Sequence, residues 1–473
     1  MLVTKVVFVL VLVGLLGLSA YLSRRIKTVD SFYIADRGLS WVFIAGTLIA
    51  SWVSAGTILG MTATHFKLGM APLSIWAGGI LSLGFLFMFI SPYLWRAKVR
   101  TIPQFIEKRF NSRPATILAG IWVLLAYYFY MAGSVLGMGY VFSVTLGIPY
   151  TPAIIIGLAA TVYMAAAGGA LTVIWTDLLS AFIGVIGIIV AVAVIFGQLG
   201  GIGGTVDAVA KVDPKFWTWN YGGSFPVLAT MVIWIGRSLG AVDLHSRFLA
   251  ARDERDIFKA ILTSTIVLAI ITFGMVFVGA GVKILIPDIA KPDYGFLELM
   301  TRFVNPFFAG IGLSAVAVLA TSTLNTQLLV SSQAVGRDIV SLLNPNISDK
   351  NIILATRLAA VVIGILLFII GIIQPAMIVD LMTIAAGIIT YGFVVPVILG
   401  IWWKRGHPTA FIVSSIVGII IQLFSLLPGW SVTVSVNPIL IGLPVVTIIY
   451  VVLSLTLPAS EESLKFQRGL HLN

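Results

Sequence analysis

The residues best suited to chemistry stand in Leu319-Ala-Thr-Ser-Thr-Leu-Asn-Thr-Gln327, where Thr321, Ser322, Thr323, Asn325, Thr326 and Gln327 interrupt an otherwise apolar stretch. On a helix, side chains lean toward the preceding turn, so the hydroxyls of Ser322 and Thr323 approach the carbonyl of Leu319. Three neutral oxygens at one spot suit a small hard cation. The same hydroxyls can instead bond back to their own helix or bridge two packed helices. Asp177 and Arg237 are two charges that fall within apolar stretches. A carboxylate in a membrane helix is a functional candidate, unless it is a solvated acid at the helix start, where the dipole favours it. A guanidinium at such depth needs a partner, and its fork suits a carboxylate. Arg237 therefore either anchors an anionic solute, such as a small organic acid, or pairs permanently with Asp243 or another acid. Catalysis finds no support: no Ser-His-Asp set, paired carboxylates or nucleotide fingerprint is present. His65, His245, His407 and His471 are too scattered for a zinc centre, and there is no cysteine. Gly168-Gly169 reads as a tight turn without the Lys-Ser/Thr of a phosphate loop, and Gly200–Gly204 as a flexible outer loop.

The elements that must hold these groups are membrane helices. The 473 residues are 59% hydrophobic and 10% charged, with a mean hydropathy of +1.08, a composition that excludes a soluble protein. Apolar stretches able to cross about 30 Å of hydrocarbon recur thirteen times, near 4–22, 40–62, 71–93, 115–145, 152–168, 173–198, 226–249, 259–285, 305–335, 353–373, 377–402, 408–428 and 435–457. The first is read as a retained span rather than a signal peptide, because Arg24, Arg25 and Lys27 follow it directly. With the N-terminus outside, 21 of the 29 basic residues, Arg247 among them, face the cytoplasm. The net charge of +11 is thus a topology signal and not a nucleic-acid one. No soluble domain is expected at either end.

The second and seventh spans both carry small and polar residues at mid-depth: Ala50-Ser-Trp-Val-Ser-Ala-Gly-Thr57 and Trp234-Ile-Gly-Arg-Ser-Leu-Gly240. Either run can be a close-packing surface. Together, five helices apart, they mark the interrupted helices of an inverted-repeat transporter with a midplane site. The expected layout is one extra N-terminal span (4–22), two five-helix repeats (40–198 and 226–402) and two C-terminal spans (408–457). Ser51, Ser54, Trp234, Arg237 and Ser238 then fall near a solute site, and Tyr127, Tyr128 and Tyr130 supply either an aromatic wall or packing.

Gly168-Gly-Ala-Leu-Thr-Val-Ile-Trp-Thr-Asp177 and Ala320-Thr-Ser-Thr-Leu-Asn-Thr-Gln-Leu-Leu-Val-Ser-Ser332 resemble two signatures of the sodium/solute symporter family. Asp36-Arg-Gly-Leu39 and Arg247-Phe-Leu-Ala-Ala-Arg-Asp253 resemble further landmarks of that family, and the likeness covers nearly the whole chain. It implies an all-α, LeuT-like core and one Na⁺ held by the carbonyls of Ala50, Val53 and Leu319 with the hydroxyls of Ser322 and Thr323. Asp177 matches a family acid just cytoplasmic of that ion, on its exit path. The chain departs from its relatives where they contact solute: Trp52 replaces an aspartate of the proline transporters, Ser238 a tyrosine, and Gly240-Ala-Val-Asp-Leu-His245 a Gly-Gln-Pro-His-like run. No substrate is carried over.

The function expected is a sodium-coupled secondary symporter in the cell membrane, importing a small organic solute, carboxylates and amino acids among the candidates, by alternating access. Its expected partners are that solute and the lipid bilayer, with no nucleic acid; the oligomeric state is left open, a monomer being the simplest case. Rival readings are a proton-coupled transporter with Asp177 as carrier and a solute-sensing membrane receptor. The second is disfavoured by the short tail, about 16 residues, after the last span.

Overall fold

The computed structural model describes residues 2–24, 38–223, 226–374, 378–426 and 438–471. Hydrocarbon offers the backbone no partners, so apolar stretches close their hydrogen bonds internally as helices. In chain order these are α1 (Leu2–Ser23), α2 (Trp41–Trp52), α3 (Gly56–Leu68), α4 (Leu73–Phe89), α5 (Ser91–Arg96), α6 (Ile102–Phe110) and α7 (Arg113–Leu146). There follow α8 (Tyr150–Ala166), α9 (Gly169–Leu199), α10 (Gly201–Val212), α11 (Val227–Gly240), α12 (Val242–Leu249), α13 (Glu254–Leu285) and α14 (Gly295–Phe303). The last are α15 (Pro306–Leu343), α16 (Asp349–Ile373), α17 (Ile378–Trp402), α18 (Pro408–Phe424), α19 (Pro438–Thr456) and α20 (Glu461–Gly469). Among the described residues there is no sheet, only an isolated bridge between Leu39 and Ala251.

Among the described residues eight helices are long and apolar enough to cross a membrane, and counting each of two bent pairs as one span makes ten. The pairs are α2 with α3, bent by 46°, and α11 with α12, bent by 40°. α4, α8 and α18 are apolar but shorter. Each expected span coincides with one of these helices or pairs; residues 377, 427–428 and 435–437 of those stretches lie outside the described residues, as do Arg25, Lys27, Asp36 and Arg37. α15 runs through the middle of the molecule, its residues from Leu313 to Ala334 all buried. α9 lies along it, with the Ser180 hydroxyl reaching the Val318 carbonyl at 3.2 Å.

Three sequence readings need correction. Gly200–Gly204 is not a loop: Gly200 (φ 79°) and Gly201 (φ 83°) make a left-handed corner, after which α10 starts at once. Glycine's freedom at positive φ permits the corner, and the Val-Asp-Ala-Val run beyond it propagates a helix. Arg247 is not a loop cation but is 3% exposed inside α12. Asp177 is not a solvated acid at a helix start, because α9 begins earlier, at Gly169, and the carboxylate is 1% exposed. Gly169 (φ 49°, ψ −158°) is the turn between α8 and α9, as the Gly168-Gly169 pair suggests.

Several of the basic residues at the ends of these helices are held by partners. Arg96 pairs with Glu254 at 2.7 Å, and the Trp95 indole donates to the Ala251 carbonyl at 2.9 Å. Arg109 donates to the carbonyls of Gly400 and Trp403 and to Ser463. Lys5 donates to the Leu146 carbonyl at 2.8 Å and Lys283 to Asp213 at 2.5 Å.

Candidate functional site

α2 ends where Val53 leaves helical geometry (φ −89°, ψ 92°). The break at Val53–Ser54 deprives the Ala50 carbonyl of its usual donor four residues on, a freed group that must be met inside the protein. It is met by α15: the Thr323 hydroxyl reaches it at 3.4 Å. One residue back on α15, the Ser322 hydroxyl donates a hydrogen bond to Asp177 Oδ1. That orientation turns the hydroxyl's lone pairs away from the carboxylate, leaving them for a cation. The other carboxylate oxygen, Oδ2, accepts Arg247 Nη2 at 2.7 Å and faces the Thr326 hydroxyl at 3.5 Å. Arg247 Nη2 also donates to Thr326. The Thr47 hydroxyl, on α2, is buried beside Asp177.

Of the five expected sodium ligands, Ala50 and Thr323 are in direct contact between α2 and α15, Ser322 precedes Thr323 on α15, and Val53 stands at the break in α2. Leu319 lies on an unbroken part of α15, so its carbonyl serves the helix ladder first and offers its second lone pair. The donors are neutral oxygens with one paired carboxylate behind them, chemistry that suits a monovalent hard cation. Among the described residues no group of three or more His, Cys, Asp or Glu could hold a metal ion.

The second break, at Ala241 (φ −68°, ψ 105°), separates α11 from α12. Arg237, just before it, donates to Asp243 Oδ2 at 2.9 Å just after it, and both side chains are 1% exposed. Tyr127 donates to Asp243 Oδ1 at 2.6 Å and accepts the Asp243 amide at 2.9 Å. Arg237 also stacks behind the Trp52 and Tyr130 rings, 5.4 and 5.0 Å from their centroids, and its Nε and Nη1 make no hydrogen bond. On the far side of those rings is a cavity of about 30 Å³, lined by Trp52, Ser54, Met61, Trp76, Tyr130, Trp234 and Met382 among others. That is room for about one water. A wider vestibule of about 230 Å³, lined by Thr64, Lys67, Thr230, Asp380 and Thr383, meets the cavity at Ile75, Trp234 and Val379.

Of the expected solute residues, Ser54 and Trp234 line the cavity. Ser51 donates to the Thr47 carbonyl at 2.8 Å and Ser238 to the Trp234 carbonyl at 3.0 Å, each within its own helix. Tyr127 is fully buried and engaged by Asp243 rather than forming a wall; Tyr128 points the other way, donating to the Leu366 carbonyl at 3.2 Å. Sequence reasoning missed Arg247 and Thr326 as partners of Asp177, and Trp76 and Met382 as cavity walls. An arginine soon after the Gly240-Ala241 interruption, with apolar Phe248-Leu249 following, is a signal for the first. Trp76 and Met382 carry no local signal, because tertiary packing alone brings α4 and α17 to the break.

The pattern of the sodium:solute symporter family matches residues 32–418. The chain belongs to that family, and with it to the sodium-coupled solute symporters of the cell membrane; its relatives are transporters, not enzymes. It is 28% identical over 426 residues to the sodium/pantothenate symporter of Escherichia coli (strain K12), covering 86% of this chain and 87% of that one. It is 25% identical to the high-affinity proline transporter PutP of Bacillus subtilis (strain 168), with 85% and 88% covered. The fold matches that of a Na⁺-coupled sialic acid symporter in a substrate-bound outward-open state, at TM-score 0.83 and 19% identity over 97% of this chain and 98% of that one. It also matches Mhp1, a nucleobase-cation-symport-1 family transporter, in a closed conformation, at TM-score 0.62 and 14% identity over 93% and 98%.

Proposed function

We propose that Na⁺ binds between the break in α2 and the middle of α15, held by the carbonyls of Ala50, Val53 and Leu319 and the hydroxyls of Ser322 and Thr323. The observation that carries this reading is the Ala50 carbonyl, freed by the helix break and facing the Thr323 hydroxyl at 3.4 Å. Asp177 acts through Ser322, whose hydroxyl it orients by accepting its hydrogen bond, and adds long-range attraction in a medium of low dielectric. The solute occupies the cavity beside the two breaks after the Trp234 side opens from the vestibule. Its walls favour a small solute with an apolar or planar body, and an acceptor group suits the unbonded indole N–H groups of Trp52 and Trp234. A carboxylate further suits Arg237, whose free Nε and Nη1 are reached when the Trp52 or Tyr130 ring turns aside. The chain crosses the membrane thirteen times from an outside N-terminus, α4, α8 and α18 joining the ten spans above, with residues 40–198 and 226–402 as the two repeats.

Sodium-dependent uptake in proteoliposomes, screened over carboxylated and neutral solutes, tests the whole reading. Import should be saturable and electrogenic and should vanish when choline replaces sodium at fixed pH. Uptake that ignores sodium and follows a proton gradient assigns the coupling to Asp177 instead. For the site itself, replacing both Ser322 and Thr323 with Ala should weaken sodium activation by roughly tenfold or more while leaving the fold intact, since each lost ligand is a charge-assisted contact of about 1.5–3 kcal/mol. Unchanged sodium affinity in that double variant removes the assignment.

A further inference from the structure

We propose that the half-helix α12 is the strut that couples the ion site to the solute cavity, attached to one through Arg247 and to the other through Asp243. The inference rests on the sodium site argued above. Asp243 and Arg247 are four residues apart, so they share one face of α12 about 6 Å apart along its axis. At the Asp243 end the carboxylate holds Arg237 at 2.9 Å and Tyr127 at 2.6 Å. Arg237 in turn backs the Trp52 and Tyr130 rings that wall the cavity. At the Arg247 end the guanidinium holds Asp177 at 2.7 Å and Thr326, and Asp177 accepts the hydrogen bond of Ser322. The link from Ser322 to Arg237 is therefore continuous and entirely buried, every member at 3% exposure or less.

Two features make this more than a chain of contacts. The break at Ala241 interrupts the helix between α11 and α12, which stay joined by the Arg237–Asp243 pair and by His245 Nε2 at 2.9 Å from the Leu239 carbonyl, so the eight residues of α12 can pivot at this joint and carry α11 with them. Both attachments are buried ion pairs, which are costly to separate, so α12 moves with its partners rather than letting go of them. A cation arriving at Ser322 attracts Asp177, and Arg247, held to Asp177 by its ion pair, carries the displacement into α12 and so re-sets Arg237 behind the aromatic wall. Linkage makes the effect reciprocal: a solute that moves Arg237 alters sodium affinity by the same factor.

Hydrogen–deuterium exchange of the full-length protein in lipid nanodiscs, in sodium chloride against choline chloride, tests the strut with sodium as the only ligand. Sodium should slow exchange in residues 46–60 and 315–330, where it binds, and also in 227–240 across the strut, by about threefold or more. In Asp243→Asn, and in the charge-neutral double variant Arg237→Gln with Asp243→Asn, the slowing at 46–60 and 315–330 should persist while that at 227–240 is lost. Slowing at 227–240 that survives in both variants overturns the strut, as does parental slowing confined to the ion site; either result leaves the sodium site standing. No slowing anywhere in the parent removes the sodium site and the strut together.

Discussion

Arg237 and Asp293 show two ways in which this molecule keeps a charge out of water. Arg237 is paired with Asp243 and stacked on aromatic faces, so removing it leaves a carboxylate buried alone. Arg237→Gln should therefore destabilise the protein by about 3–5 kcal/mol, and adding Asp243→Asn should recover much of that loss. Thermal unfolding in detergent measures both; a double variant no better than the single one shows that the pair is not what Arg237 contributes. Asp293 lies outside the spans, between α13 and α14. Burial raises its carboxyl to about 6, the cation of Lys67 opposing, the charge of Asp380 adding to the rise, and Lys291 opposing again; Tyr140 and Tyr294 are the other titratable neighbours. Between the usual value of about 4 and about 6, the folded chain holds a proton that the unfolded chain has given up. Stability at this position therefore falls as pH rises through that window. Asp293→Asn, neutral at every pH, should gain on the parent in melting temperature from pH 4 to 6 and hold a constant lead above pH 7. A difference that stays flat across the range contradicts this account.

At the scale of elements, the two breaks do most of the work, and close packing holds them in register. A methyl group added at Gly46 on α2 would lie 3.1 Å from the Cα of Leu178, the residue after Asp177 on α9. Backbone cannot yield as a flexible side chain can, so Gly46→Ala should push α2 from α9 and separate Ala50 from Ser322 and Thr323. A sodium-induced rise in melting temperature that shrinks in this variant more than its overall stability drops is the expected result; an unaltered sodium response means the two helices tolerate the gap. The breaks were legible in the sequence because a membrane helix that carries Ala-Ser-Trp-Val-Ser-Ala-Gly-Thr or Gly-Arg-Ser-Leu-Gly at mid-depth has small residues and polar groups where lipid offers no partner. The proposed ligands Ser322 and Thr323 were legible for the same reason. Arg247 was not: a basic residue near the end of a span reads as a loop charge, and only the fold reveals that α12 turns inward to meet Asp177. The Gly200–Gly204 connector was misread too, since a short amphipathic helix such as α10 lacks the length that marks a span.

For the whole molecule, sidedness is the property that most needs a direct measurement, and the absence of native cysteine makes it simple. Lys215 follows α10 and Lys350 opens α16, both exposed, with the α11–α12 pair, α13 and α15 between them. A cysteine placed at Lys215 should react with a membrane-impermeant maleimide in intact cells, and one at Lys350 only after permeabilisation. Labelling of both from the same side breaks the thirteen-crossing topology. Within that frame the two chemistries are built from different materials. The proposed cation junction uses backbone carbonyls, which no side-chain substitution removes, and two small hydroxyls. The cavity uses large side chains, Trp52, Trp76, Tyr130, Trp234 and Met382, which can be exchanged one at a time. Because the two draw on different groups, main-chain oxygens and small hydroxyls in one and exchangeable large side chains in the other, natural variation or an engineer can rewrite what the molecule carries without rewriting what powers it.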